Sequence, residues 1–123
     1  MAKKQKTIPQ LLIQAQKVFN AWIRNRDKDC SCISCSTGRV EQAGHYLSQG
    51  HHGHLRFNEI NNNGQCVRCN LYLHGNLINY RSGLIKKYGE QKVLLLESNA
   101  HKVKKWTRFE LECIINQYKL TQC

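Results

Sequence analysis

Apolar residues recur every three or four positions over residues 8–26, and this spacing predicts an amphipathic helix with one face in the core. Pro9 suits the first turn of such a helix, and the charged run from Asp27 to Asp29 ends it. The predicted buried face consists of Leu11, Leu12, Ala15, Val18, Phe19, Trp22 and Ile23. The N-terminal part, residues 1–29, is therefore expected to be one helix packed on the remainder.

The second half of the chain has helical patterns as well. Helical character over about residues 69–80 is interrupted at Gly83, and residues 90–98 predict a further helix. The last helix begins at Thr107, which forms a capping box with the glutamate three residues on. Its predicted buried face consists of Leu111, Ile114, Ile115 and Tyr118, with Cys113 also expected in the core. Residues 83–123 are thus expected to form a C-terminal helical part.

The middle of the chain has shorter, strand-like patterns. One short strand is predicted within residues 39–47, with His45 near its end, and a second over residues 55–60. The glycine-rich stretch between them is predicted to be a solvated or DNA-contacting loop, and it contains His51, His52 and His54. Two strands followed by a helix form a β-β-α unit, so the expected fold class is α+β.

Two Cys-x-x-Cys pairs enclose this unit. Thirty residues separate the pairs, which are Cys32 with Cys35 and Cys66 with Cys69. Each such turn presents two thiolates to one ion, and two turns complete the tetrahedral shell of a structural Zn²⁺ site. Residues 30–82 are therefore predicted to be a zinc-stapled core. Two alternatives stay open here: disulfide pairing of these cysteines, and Cys30 as a third thiolate of the first cluster. Terminal Cys123 is expected to be free.

Composition and charge add two constraints. The hydrophobic fraction of 41% is low, so the core is expected to be small, and a structural metal would add stability. The net charge of +11 is concentrated in the flanks: residues 1–29 carry seven Lys or Arg against two Asp, and residues 81–123 carry nine against four Glu. Two basic flanks around a nearly neutral centre indicate a polyanionic partner.

No feature of the sequence indicates secretion or membrane insertion. The N-terminus has no apolar signal core, and no apolar run approaches the length of a membrane span. A reducing cytoplasm is the expected location, where Cys-x-x-Cys pairs usually bind metal. No repeat or linker divides the chain, so residues 1–123 are expected to form a single domain.

Three polar residues occur in the order of an HNH, or β-β-α-metal, nuclease: His45, Asn61 and Asn70. Hydrolysis of a phosphodiester needs a base that deprotonates water, and neutral imidazole titrates in the right range. The reaction also needs a cation near the scissile phosphate. Mg²⁺ accepts a few oxygen ligands and keeps several waters, so a single asparagine can help to anchor it.

The chain resembles the NinG (Rap) recombination proteins of lambdoid phages, which carry an HNH-type nuclease signature. The resemblance rests on F-N-A-W-I-R-N-R-D (19–27), C-I-S-C (32–35), A-G-H-Y (43–46), L-R-F-N-E-I-N (55–61), Q-C-V-R-C-N (65–70), G-N-L-I-N-Y-R-S-G-L-I (75–85) and Y-G-E with V-L-L-L-E (88–97). It implies a β-β-α-metal (HNH or treble-clef-like) core and an endonuclease that cleaves branched, Holliday-junction-like DNA in phage recombination.

The resemblance implies a role for each matched residue. His45 corresponds to the general base, Asn61 to the residue that orients the loop carrying the base, and Asn70 to a ligand of catalytic Mg²⁺ or Mn²⁺. Many HNH proteins have an aspartate before the first histidine as another ligand, where this chain has Gly44. The candidates for the rest of this metal shell are His74 and Asn76.

The predicted phosphate contacts are basic residues near the cysteine pairs and in the last third of the chain: Arg56, Arg68, Arg81, Lys104 and Lys105. The expected partners are branched DNA, a second copy of the chain and phage recombination proteins, in the cytoplasm of a bacterial host cell. The alternative hypothesis is a non-catalytic zinc module that binds DNA or a recombination partner. Such a module would not require His45, Asn61 and Asn70 together with both cysteine pairs.

Overall fold

The computed structural model describes residues 4–48 and 53–120, so the predictions for His51, His52 and Cys123 lie outside the described residues. The elements are α1 (Ile8–Asp27), β1 (Gln42–His45), a 3₁₀ turn (Gly53–Leu55), β2 (Asn62–Gln65), a π-helical turn (Arg68–Tyr72), α2 (Leu77–Tyr88), α3 (Glu90–Ser98) and α4 (Arg108–Tyr118). A two-stranded sheet with flanking helices confirms the α+β class. None of the described helices combines the length and hydropathy needed to cross a membrane.

Helices α1 and α4 form the main hydrophobic core. The residues of this core are Leu11, Ala15, Phe19, Ile23, Phe57, Leu111 and Tyr118. The rings of Phe19 and Tyr118 meet edge to face with centroids 4.7 Å apart, which confirms the two predicted helix faces. Cys113, by contrast, is exposed, so its expected place in the core is wrong. It follows Leu111 by two residues, and such residues lie on different faces of a helix.

The sheet contains a strand that the hydrophobic pattern missed. Strands β1 and β2 are antiparallel, with His45 opposite Asn62. The predicted second strand over residues 55–60 is wrong, because this stretch consists of turns and β2 follows it. All four residues of β2 are buried although three of them carry polar amides. The amide nitrogens of all three donate hydrogen bonds; that of Asn62, for example, donates to the Asn58 carbonyl at 2.8 Å.

Helix α2 runs through the glycine that was predicted to interrupt it. Gly83 lies inside α2, and a Cβ there would be 2.0 Å from the carbonyl oxygen of Ile33, so the glycine lets α2 approach the first cysteine turn closely. The helical pattern breaks earlier, where His74, Gly75 and Asn76 have φ values of 51°, 93° and 46°. The predicted limit between the central and C-terminal parts at residues 82 and 83 therefore falls within a helix. Helices α3 and α4 occupy the predicted ranges, and Thr107 forms its capping box with Glu110.

A buried ionic network joins α1 to the sheet and to α2. The Asp27 carboxylate, only 3% exposed, accepts hydrogen bonds from Arg26 Nε at 2.8 Å, Lys87 Nζ at 3.1 Å and the backbone N–H of Gly64 at 2.8 Å. Burial alone would raise the pKa of Asp27, but these partners outweigh it and hold the pKa below its ordinary value. The Asn63 side-chain oxygen also accepts from Lys87 at 2.9 Å, which connects β2 to the network.

Replacement of Asp27 by asparagine is expected to lower the free energy of unfolding at pH 7 by about 3 kcal/mol, because the charges of Arg26 and Lys87 lose their shared partner. Urea unfolding measures this difference. The carboxylate stabilises the fold above its unfolded-state pKa of about 3.9, and this contribution is lost as pH falls through the lower folded-state pKa. The stabilities of the two proteins should therefore converge in acid. Exposed Asp29→Asn is the matched control, and equal stability of Asp27→Asn and wild type at pH 7 would contradict the network.

Candidate metal centre and catalytic pocket

The four predicted zinc ligands converge on one point. The Sγ atoms of Cys32, Cys35, Cys66 and Cys69 all lie within 4.8 Å of one another, and those of Cys35 and Cys66 are 3.9 Å apart. A tetrahedral shell with Zn–S bonds of about 2.3 Å places its sulfurs about 3.8 Å apart. The cluster therefore has the donor set and spacing to hold a single metal ion such as zinc.

Local backbone geometry brings these sulfurs together. A Cβ at Gly38 would lie 2.9 Å from Cys66 Sγ, so only glycine lets the chain pass this close to the cluster. The N–H of Gly38 donates to Cys35 Sγ at 3.3 Å, and the N–H of Cys69 donates to Cys66 Sγ at 3.5 Å. Burial raises the pKa of the Cys35 thiol, but hydrogen bonds outweigh burial and lower this pKa to about 6. The hydrogen bonds thus favour the thiolate at Cys35, whereas burial raises the pKa of the Cys32 and Cys69 thiols.

The two alternative uses of the cysteines fit the structure less well. Cys30 is exposed and lies outside the cluster, although it is close to the first pair in sequence. The sulfurs of Cys35 and Cys66, at 3.9 Å, are much farther apart than the roughly 2.05 Å of a disulfide bond. The described cysteines are all unpaired. A shared metal ion therefore explains the cluster better than either alternative.

Three of the predicted site residues line one pocket of about 320 Å³: His45, Asn70 and His74. They come from the end of β1, the π-helical turn and the left-handed turn after it. The remaining lining residues are Tyr46, Ser48, Gly75 and Leu77. Asn76, the other candidate ligand, does not line this pocket; its amide donates to Cys69 Sγ at 3.5 Å. The pocket thus joins an imidazole, an amide and a second imidazole beside the cysteine cluster.

His45 has the protonation state that a base needs. The side chain is partly buried at the end of β1, and burial lowers the pKa of its imidazole below the ordinary value of 6.5. Burial removes the imidazole from water, which disfavours its charged, protonated form. His45 is therefore mainly neutral at pH 7. A neutral imidazole in a pocket can accept a proton from water or from a substrate hydroxyl.

Asn61 holds the chain that follows His45. Its side chain is completely buried, and it pairs with the backbone of Leu47 through both amide atoms. Asn61 Oδ1 accepts from the Leu47 N–H at 2.9 Å, and Nδ2 donates to the Leu47 carbonyl at 3.1 Å. The Asn61 carbonyl also accepts from the N–H of Tyr46, the next residue after the histidine, at 2.8 Å. This geometry suits the predicted role of orienting the base.

Gln65 is a buried residue of this region that the sequence did not single out. Its Nε2 donates to Ser34 Oγ and to the Gly75 carbonyl, both at 2.8 Å, so it ties the first cysteine turn to the wall of the pocket. A Cβ at Gly44 would lie 1.7 Å from Gln65 Oε1, so an aspartate does not fit at residue 44 in this structure. The sequence shows that a glutamine precedes Cys66, but the burial of its side chain depends on the pairing of β1 with β2.

The predicted phosphate contacts divide into engaged and exposed side chains. Arg81 pairs with Glu97 through two hydrogen bonds, Lys104 pairs with Glu110, and Arg56 donates to Gln16 at 3.0 Å. The other two predicted contacts, Arg68 and Lys105, are exposed and take part in none of the ion pairs found among residues 4–48 and 53–120. Arg68 lies in the same π-helical turn as Asn70 but does not itself line the pocket.

Comparison with known proteins gives a consistent relationship. A family model for the bacteriophage lambda NinG protein matches residues 2–122. The ninG protein of Escherichia phage lambda is 45% identical over 108 residues, which are 86% of this chain and 52% of the relative. The ninG protein of Salmonella phage P22 is 44% identical over 108 residues, 86% of this chain and 53% of the relative. The chain therefore spans about half the length of these curated relatives. No solved structure matches the chain.

Proposed function

This chain belongs to the bacteriophage lambda NinG family, and on that premise we propose that it is a metal-dependent endonuclease acting on branched DNA during phage recombination. The observation that carries the proposal is the pocket in which a neutral imidazole, an amide and a second imidazole meet beside a four-cysteine cluster. A zinc module that only binds DNA would need the cluster but not this pocket.

In the proposed reaction, His45 takes a proton from a water molecule as the water oxygen attacks the phosphorus. The bond from phosphorus to the leaving oxygen breaks, and that oxygen is protonated by solvent. A divalent cation such as Mg²⁺ or Mn²⁺ would neutralise the charge that builds on the phosphate and on the leaving oxygen. Asn70 would hold the cation through its side-chain oxygen, and His74 is the next donor of the same pocket.

Two other features support the assignment of these roles. Asn61 fixes the backbone just after His45, so the imidazole is held by the sheet and not by a free loop. The cysteine cluster fixes the π-helical turn that carries Asn70, because Cys69 precedes Asn70 directly. A metal held by the four sulfurs would therefore act as a structural ion, distinct from the cation of the pocket.

Exposed side chains around the pocket support DNA as the substrate. Arg68 is exposed on the turn that carries Asn70, and the flanking segments carry most of the net charge of +11. Tyr72 is 75% exposed and Ile78 is 85% exposed, on the two elements that border the pocket. Exposed aromatic and aliphatic side chains contact unstacked bases, which branch points offer and intact duplex does not. The cationic and apolar surfaces together favour branched DNA.

Cleavage of defined substrates tests this proposal. Purified protein, incubated with Mg²⁺ or Mn²⁺, is expected to cleave a Holliday junction, a fork or a flap faster than a linear duplex of the same sequence. Omission of the divalent ion should abolish cleavage without preventing binding. DNA binding should weaken steeply with added salt, as expected for several phosphate contacts. Binding of all four substrates without cleavage under either ion would reject the nuclease and support the non-catalytic module.

A further inference from the structure

Gln65 Oε1 is a buried oxygen without a hydrogen-bond donor in the part of the chain that the structure describes. Exchanging the oxygen and nitrogen of the Gln65 amide does not give this oxygen a donor. Nε2 donates to the Gly75 carbonyl and to Ser34 Oγ, and reversal would place two oxygens against each other at Gly75. Buried oxygens are almost always satisfied, so an unpaired one in a native fold indicates a partner or a function.

A polar group close to this oxygen belongs to Asn70, which lines the pocket with His45 and His74. The point where residue 44 would carry a Cβ lies 1.7 Å from Gln65 Oε1 and 3.0 Å from Asn70 Oδ1, so the two oxygens face each other over Gly44. Asn70 Nδ2 meanwhile donates to Gln42 Oε1 at 2.7 Å. Two acceptors in this position repel each other unless a donor lies between them.

A half-turn of the Asn70 amide removes the conflict. The nitrogen and oxygen of an asparagine side chain have the same shape, and their placement is decided by the hydrogen bonds around them. After the turn, Asn70 Nδ2 would face Gln65 Oε1 as a donor, and Asn70 Oδ1 would face Gln42, whose own amide can turn to donate. Gln65 and Gln42 then hold Asn70 from both sides and leave one lone pair of Oδ1 for another partner.

We propose that Gln65 is a positioning residue of the cation pocket, which fixes the orientation of the Asn70 amide. Gln65 connects the pocket to the cysteine cluster, because it donates to Ser34, which lies between Cys32 and Cys35. It also donates to the carbonyl of Gly75, the residue after His74. Its side chain occupies the room that an acidic side chain at residue 44 would take. This inference rests on the proposed function, since Asn70 is there the ligand of the divalent cation.

The test measures Mn²⁺ binding to zinc-loaded protein by electron paramagnetic resonance, alongside the KM and kcat of cleavage. Gln65→Met keeps the volume of the side chain and removes its polar atoms. It should bind Mn²⁺ about 10- to 100-fold more weakly, as for other residues that orient a metal ligand, while the zinc content stays unchanged. The loss should appear in the Mn²⁺ dependence of cleavage and not in the KM for DNA. Gln16→Met is the matched control, because Gln16 lies on α1 and pairs with Arg56 away from the pocket.

A second pair of variants covers the case in which Gln65→Met does not fold. Gly44→Ala pushes the Gln65 amide aside without removing any polar group, and its methyl group also lies 3.0 Å from Asn70 Oδ1, so it should weaken Mn²⁺ binding by at least a similar factor. In the double variant Gly44→Ala with Gln65→Ala, the shortened side chain makes room for the new methyl group. The double variant should therefore be more stable than Gly44→Ala alone, and it should still bind Mn²⁺ at least about tenfold more weakly than wild type.

The outcomes separate this inference from the proposed function. If wild type binds Mn²⁺ and cleaves DNA while a folded Gln65→Met or double variant binds Mn²⁺ equally well, the positioning role is rejected and the nuclease stands. If wild type neither binds Mn²⁺ nor cleaves any substrate, the nuclease is rejected and the positioning role with it. Weakened Mn²⁺ binding in the Gln65 variants with unchanged zinc supports both.

Discussion

A protein with Cys66 replaced by serine is expected to lose its zinc and to unfold at neutral pH. Structural Zn²⁺ sites contribute about 10–16 kcal/mol in small domains, whereas a whole domain is stable by only about 5–15 kcal/mol. The core offers no substitute for the metal. The main apolar core lies between α1 and α4, while the cysteines form a separate buried cluster of their own. Ile33 of the first cysteine turn packs against a third apolar cluster formed by Tyr80, Leu84 and Val93, but among the described residues no apolar cluster other than the cysteines themselves joins the two turns.

Zinc analysis and thermal unfolding by circular dichroism check this expectation. Wild type should contain about one equivalent of zinc, and a strong chelator should produce the same unfolded spectrum as Cys66→Ser. Cys30→Ser is the matched control, since Cys30 is exposed, lies two residues before Cys32 and is outside the cluster. It should keep both the zinc and the melting temperature. A folded Cys66→Ser protein with full zinc would show that the cluster is not the metal site.

Helices α1 and α4 were predictable because their sequence signals are local. The repeating apolar pattern of α1 extends over five turns, and the capping box of α4 lies within four residues. Helix α3 was also found at its observed limits, although its pattern is short. In each case the side chains that start the helix or form its buried face lie close together in sequence. Long-range contacts change little in such segments.

Strand β2 and the course of α2 could not be predicted in this way. Strand β2 buries two asparagines and a glutamine, so it lacks the alternation of apolar and polar residues by which strands are recognised. Its stability depends on pairing with β1 and on side-chain amides that donate to the carbonyls of Asn58, Ile60 and Gly75. The sequence pattern predicts a helix break at Gly83, yet this glycine leaves room for the carbonyl of Ile33, which is fifty residues away in sequence. Both errors arise from tertiary contacts that a local pattern does not contain.

The candidate site was predictable to the extent that spacing determines it. The two Cys-x-x-Cys pairs gave all four members of the metal cluster, since each pair needs only a tight turn. His45 and Asn70 meet in one pocket because they flank the same β-β-α unit. Gln65 and Asp27 were missed. Their significance depends on which buried donors and acceptors face them, and that depends on the pairing of β1 with β2 and on the packing of α2.

A protein with His45 replaced by alanine is expected to cleave junction DNA at least about 100-fold more slowly than wild type, because general-base catalysis typically contributes 10²–10⁴. DNA binding and zinc content should be unchanged, since the His45 side chain lies outside the cysteine cluster and the basic flanks are intact. Single-turnover cleavage measures the rate, and a gel-shift assay measures the affinity. His101→Ala is the matched control, because His101 is exposed and does not line the pocket.

The pH dependence of the cleavage rate is a second, independent test of His45 as the base. The base must be neutral to accept a proton, and burial lowers the pKa of His45 below 6.5. Titration of His45 should therefore change the wild-type cleavage rate little between pH 8 and 7. The rate should fall only as pH drops below about 6.5, where the imidazole becomes protonated. The His45→Ala protein should lack this fall. A variant that cleaves as fast as wild type, or keeps the same acid limb, would show that another group removes the proton, and His74 in the same pocket would be the next candidate.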